Sequence, residues 1–175
     1  MVPAEPSQSL RFVASRRLLI ALGVITVVLD QGTKAAVRAL LPLYDSVSVI
    51  PGFLDFTYVQ NTGAAFGLLN SADLPFKPAI MTVVALTALV AISVYAMKTS
   101  SQDPLGQIGL ALVMGGAVGN LIDRVTTGYV VDFVDAYWGN WHFWAFNVAD
   151  AAITVGACLL ILDMMLVNRH VSETI

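Results

Sequence analysis

Four apolar stretches, separated by polar connections of unequal length, set the pattern of this chain. The first covers residues 18–37 and is broken only by Asp30 and Lys34. Residues 78–97 and 105–122 carry no charge, and residues 148–167 keep Asp150 and Asp163 near their ends. A helix of roughly 20 apolar residues crosses the ~30 Å hydrocarbon core of a bilayer. Irregular backbone facing lipid would leave N–H and C=O groups unsatisfied, at several kcal/mol each. The pattern therefore predicts four spanning helices.

The connections read differently from one another. Within residues 44–70, SVSVIPGFLDFTYVQN is rich in β-branched and aromatic side chains around Pro51-Gly52, a turn signal. It predicts a short hairpin or small sheet lying on the outer membrane surface. KTSSQDPL is a tight polar link between spans two and three. Residues 125–147 are expected to form an outer loop or helix lid, holding Trp138, Trp141 and Trp144, whose indoles suit the headgroup level. Residues 1–15, with two prolines and three serines, read as a flexible cytoplasmic tail, and residues 16–170 as one four-span domain. The fold class is an all-α membrane protein with a small extracytoplasmic β-element.

Composition supports this reading. Of 175 residues, 57% are hydrophobic and only 12% charged, with a mean hydropathy of +0.77, against about 25% charged in soluble domains. Arg11, Arg16, Arg17, Lys98 and Arg169 fall on one side of an even number of spans, so both termini are expected in the cytoplasm. Lys34, Arg38, Lys77 and Arg124 dilute that contrast. Arg16-Arg17 followed by an apolar run resembles a secretory signal peptide, but Leu-Asp-Gln follows instead of a small-residue cleavage site, so the span is read as retained. A net charge of −3 without a basic run argues against a nucleic-acid partner. A single cysteine excludes an internal disulfide and a cysteine metal cluster.

Ionisable groups at membrane depth mark functional sites unless they are paired, because an unpaired one costs roughly 3 kcal/mol or more. Asp30 and Lys34 stand at i,i+4 with the acid first, the favourable order for a helical ion pair. Asp123 and Arg124 are adjacent and cannot face each other on a helix, so each must find another partner, or Arg124 must reach a peptide carbonyl or a headgroup. Asn61, beside Gly63, suits a turn, and Asn147, three residues before Asp150, suits a helix N-cap. Asp45, Asp55 and Asp163 are read as solvated, and Cys158 as a small core residue. Gly115 and Gly119 form a small-xxx-small pair for close helix packing, a feature a substrate crevice would also use.

Asp132, Asp135 and Asp150 remain, at the apolar edge and beside the tryptophans. The two histidines, His142 and His170, belong to opposite ends, and no clustered ligand spacing exists, so metal hydrolysis is poorly supported. Serine or cysteine catalysis lacks a histidine base beside a nucleophile. Two close carboxylates need no further reagent: sharing one proton, one activates water and the other protonates the attacked carbonyl. Asp150 with either Asp132 or Asp135 would serve, Asp132 being flanked by apolar residues. A proton-coupled transporter would use the same features.

Five blocks carry a resemblance: LDQGTK (29–34), NTGAAFG (61–67), GGAVGNLIDR (115–124), VVDF (130–133) and FNVADAAI (146–153). In this order and on these spans, the chain resembles the bacterial lipoprotein signal peptidases (signal peptidase II) from about residue 18 to 167. The resemblance implies an inner-membrane aspartyl endopeptidase that cuts prolipoproteins before a diacylglyceryl-modified cysteine near the outer leaflet. It implies Asp132 and Asp150 as the catalytic acids. Asn61, Gly63, Asn120, Arg124 and Asn147 would support the site or bind substrate, and Asp30 and Lys34 would hold the helices or orient it. The partners implied are modified prolipoproteins, membrane lipid and globomycin-type cyclic peptide inhibitors. No cofactor or metal is expected, and the chain is read as a monomer.

Overall fold

The structure, a computed structural model, describes residues 16–63, 74–98 and 104–172. Four helices in chain order are α1 (Arg16–Leu40), α2 (Lys77–Lys98), α3 (Pro104–Thr126) and α4 (Val148–Ser172). All four are long and apolar enough to cross a membrane. Each extends beyond the stretch read from hydropathy, α3 by a full turn at its C-terminal end, where Asp123 and Arg124 remain helical. The expected tail at 1–15 and residues 64–70 of the expected β-element lie outside the described residues.

α3 forms the middle of the bundle and packs against the other three helices. Half of its apolar window is buried, against 6% for α2. Leu and Val on the outer faces are widely exposed, Val28 at 62% and Val83 at 62% among them, as lipid-facing side chains must be. Glycine permits the closest approaches. A Cβ on Gly109 would lie 2.8 Å from the carbonyl oxygen of Gly156, and one on Gly115 would lie 2.9 Å from that of Gly23. The Gly115/Gly119 stripe thus faces α1 and serves close packing.

The two long connections meet at the same end of the bundle and join into one antiparallel sheet. Its strands are β1 (Ser46–Ile50), β2 (Leu54–Asn61), β3 (Val130–Trp138) and β4 (Trp141–His142), in the order β1-β2-β3-β4. The hairpin expected around Pro51-Gly52 is β1–β2, with Gly52 at φ 81 in its turn. The region expected as a loop or helix lid is different: 130–138 is a strand paired with β2, and 141–142 returns along it. The reason is long-range. VVDFVDAYW has the β-branched and aromatic content of a strand, but its partner lies some seventy residues earlier, where Asn61 pairs with Val130. α3 stops where Gly128, at φ 82, gives its N–H to the carbonyl of Arg124 at 3.1 Å. That left-handed cap turns the chain into β3.

Candidate active site

Three elements bring Asp132 and Asp150 together. β3 carries Asp132 two residues from its start, opposite Val59 of β2. Between Phe56 and Val59 the β2 register shifts by one residue, a bulge of the kind that re-aims side chains. Asn61 then lies diagonally across from Asp132 and gives its Nδ2 to Asp132 Oδ2 at 3.0 Å. Beyond β4 the chain comes back along β3: Phe146 exchanges backbone hydrogen bonds with Val134. This places Asn147, the next residue, against Asp132.

Asn147 then starts α4. Its Oδ1 accepts the N–H of Asp150 at 2.9 Å, while Asp150 Oδ2 accepts the N–H of Asn147 at 3.2 Å. This is a reciprocal capping box, with asparagine and aspartate in the two roles. The Asn147 Nδ2 reaches Asp132 Oδ1 at 2.7 Å. One buried residue therefore holds both carboxylates, Asp132 through its side-chain amide and Asp150 through its backbone N–H. The other oxygen of Asp150 accepts from Asn120 Nδ2 at 2.8 Å, and Asn120 Oδ1 in turn accepts from Lys34 Nζ at 2.9 Å.

Asp132 is only 3% exposed. Burial pushes its carboxyl up to about 7, and the neighbouring Asp150 charge adds to the effect. Hydrogen bonds from Asn61 and Asn147 and the Lys34 charge oppose it. A carboxyl that keeps its proton near neutral pH can donate as an acid, which an ordinary exposed aspartate cannot.

Behind this pair lies a buried ion cluster. Lys34 Nζ stands 2.8 Å from Asp30 Oδ2 and 3.0 Å from Asp123 Oδ2, with all three side chains at or near zero exposure. Arg38 Nη2 meets the other Asp123 oxygen at 3.0 Å. Asp123 also accepts the Val131 N–H at 3.2 Å, tying the start of β3 to α3. Asp30 Oδ1 accepts the N–H of Ala149 at 3.0 Å, so α1 helps cap α4 from across the bundle. A Cβ on Gly119 would lie 2.6 Å from Asp30 Oδ2, so only glycine leaves room for that carboxylate.

Arg124 gives Nη2 to the carbonyl of Gly63 at 3.2 Å and Nη1 to that of Asn120 at 3.4 Å, the peptide-carbonyl role expected of it. Gly63 N–H is itself held by Asn61 Oδ1 at 2.9 Å. Every sequence-selected site residue thus lies in one connected set. Asp135 does not join it. It pairs across the sheet with Asp55 and bonds His142 Nδ1 at 2.9 Å, away from Asp150. Asp55 accepts from Tyr137 Oη at 3.1 Å and is not simply solvated. Cys158 is exposed on the outside of α4, which corrects its reading as a core residue: two residues further along the helix, about 200° round at 3.6 residues per turn, the side chain points away from the face that Gly156 buries against Gly109.

Arg38 and Gln31 were not selected from the sequence, and Asp123, expected to need a partner, was not placed in the site. Gln31 Nε2 bonds Asp30 Oδ2 at 3.1 Å and the Gly119 carbonyl at 3.1 Å. The missed signal was arithmetic: Asp30, Lys34 and Arg38 follow each other at i,i+4 on one helix face, one acid against two bases. A second buried acid had to come from another span, and Asp123 ends span three.

Four helices able to span a membrane, with two linked aspartates at one end of the bundle, define a multi-pass membrane protein with a polar site, and comparison with known proteins names the family. Residues 22–166 match the family model described as Signal peptidase (SPase) II. The lipoprotein signal peptidase of Symbiobacterium thermophilum is 46% identical over 152 residues, covering 87% of this chain and 97% of its own. That of Geobacter metallireducens is 43% identical over 157 residues, covering 90% and 96%. A solved bacterial membrane enzyme superposes with a TM-score of 0.78 at 32% identity, over 90% of this chain and 93% of that one. The chain belongs to the signal peptidase II family.

Proposed function

We propose that the protein removes the signal peptide from diacylglyceryl-modified prolipoproteins, cutting before the lipidated cysteine, with Asp132 and Asp150 as the catalytic pair. The observation that carries this reading is the single Asn147 side chain and backbone holding both carboxylates, at 2.7 and 3.2 Å. The pair titrates as a unit, so acid and base are not assigned to one residue each.

With one proton on the pair, the ionised carboxylate takes a proton from water as its oxygen attacks the scissile carbonyl. The protonated partner donates to the carbonyl oxygen, giving a neutral tetrahedral diol. Collapse returns a proton to the departing nitrogen and breaks the C–N bond, leaving a carboxyl on the signal peptide and a free amino group on the lipidated cysteine. Asn61, Asn120 and Asn147 keep both carboxylates aimed, while Arg124 holds Gly63 against the site. Asp30 and Lys34 fix α1 to α4 behind it.

The location of the site fits a substrate with one end in lipid. Both carboxylates lie where the sheet meets the helices, and Trp138, Trp141 and Trp144, each more than half exposed, ring that end at headgroup level. On this reading the sheet faces the outer side of the bacterial inner membrane, both termini are cytoplasmic, and a single chain (residues 16–170) suffices. A globomycin-type peptide would block the crevice.

The test is a gel-shift cleavage assay with purified protein in detergent, offering diacylglyceryl-modified and unmodified precursor in parallel. Cleavage of the modified precursor alone, with a new amino terminus at the lipidated cysteine, is expected. Cleavage of both at equal rates would remove lipid recognition from the account. No cleavage of either, beside an active relative, would point to a proton-coupled transport role.

A further inference from the structure

At the opposite end of the bundle from the carboxylates, α1 and α2 stand apart with α3 as the floor between them. The resulting groove encloses about 1020 Å³ and is lined almost wholly by apolar side chains, from Leu19 and Met97 to Val28 and Val118. Arg16, exposed at the first turn of α1, is the one charged residue among the described residues that line it, with Arg17 next in sequence. We propose that this groove binds an anionic phospholipid of the leaflet on that side, acyl chains along α1 and α3 and phosphate at Arg16.

Length and charge select this occupant. From Arg16 to Val28 the groove runs twelve residues along α1, about 18 Å at the helical rise. That matches one leaflet, about half of a ~30 Å hydrocarbon core. A signal helix needs the whole thickness, and signal peptides open on a positively charged segment, which would lie against Arg16 and Arg17. An anionic headgroup meets those arginines with opposite charge. Gly23 lets α1 lie close against the α3 floor, where a Cβ would already touch the Ala111 carbonyl oxygen at 3.5 Å, and the small Ala111 side chain lines that floor.

The experiment is native mass spectrometry of the full chain released from detergent, with phosphatidylglycerol or phosphatidylcholine of identical acyl chains. One retained phosphatidylglycerol per chain is expected, preferred about fivefold over phosphatidylcholine, the size of one arginine acting near a headgroup. Arg16→Gln should abolish the preference, while Arg17→Gln should keep the single adduct. Ala111→Trp, which fills the floor, should remove adducts of either lipid; Arg16→Gln alone decides the matter should that variant fail to fold. Equal retention of the two headgroups, or an unchanged preference in Arg16→Gln, would overturn the proposal. So would displacement of the lipid by a synthetic signal peptide in stoichiometric amount. Cleavage is not read in this experiment, so its outcome stands apart from that of the peptidase assay.

Discussion

Asn147 and Asp150 hold each other across the first turn of α4, each side chain taking the other's backbone N–H, at 2.9 and 3.2 Å. The same Asn147 reaches Asp132 through Nδ2. Helix capping and site assembly are therefore one set of bonds, and a substitution can be chosen to separate them.

Asn147→Ser keeps an N-cap acceptor but is too short to reach Asp132, whereas Asn147→Ala loses both. Thermal melting should show Asn147→Ala destabilised by about 1 kcal/mol relative to Asn147→Ser. Both should lose cleavage about equally, by one to two orders of magnitude in kcat, since misplacing a reacting group by ~1 Å costs about 10²-fold. Activity that follows melting temperature across the two variants would reduce Asn147 to a cap.

Lys34 is the cation shared by Asp30 and Asp123, at 2.8 and 3.0 Å and fully buried. Lys34→Met leaves two buried carboxylates with too little positive charge and should cost about 3–5 kcal/mol in stability. The double variant Lys34→Met/Asp30→Asn should recover part of that loss, because the amide oxygen can still accept the Ala149 N–H. Melting curves of the two in one detergent decide it, and equal destabilisation would show that the pair is not coupled.

These relationships were unevenly legible in the sequence. The spans read correctly because lipid demands continuous apolar surface, and the Asp30–Lys34 pair read correctly because both partners share one helix. The N-cap at Asn147 was equally local. Strand β3 has the composition of a strand but no neighbour in sequence to pair with, since its hydrogen bonds go to residues 54–61. Asp123 was undervalued for the same reason: its partners, Lys34 and Arg38, are on another helix. The choice between Asp132 and Asp135 lay beyond composition and spacing. It rests on the pleat of β3, which sends the two side chains to opposite faces, one to Asn147 and the other to His142.

Asp132 holds its proton up to about pH 7 in the folded protein, against 3.8 for the free side chain. The native state therefore binds that proton more tightly than the unfolded chain does. Its contribution to stability is full below about pH 4 and is lost as the pH rises through about 7. Measured from about pH 4 to pH 8, the melting temperature of Asp132→Asn should gain on that of wild type until about pH 7, then run parallel. Cleavage, which needs one proton on the pair, should decline as the pH rises past about 7. A wild type that gains on the variant with rising pH would contradict the buried, proton-holding carboxyl.

The most direct measurement is cleavage of diacylglyceryl-modified prolipoprotein by Asp132→Asn, Asp150→Asn and Asp135→Asn, each checked for helicity and melting in the same detergent. The first two should lose about 10³-fold or more in rate while remaining folded, as expected when an acid or base of the reaction is removed. Asp135→Asn, whose carboxylate faces His142, should stay within a few-fold of wild type. Substantial activity in either of the first two, or an equal loss in the third, would contradict the pairing of Asp132 with Asp150.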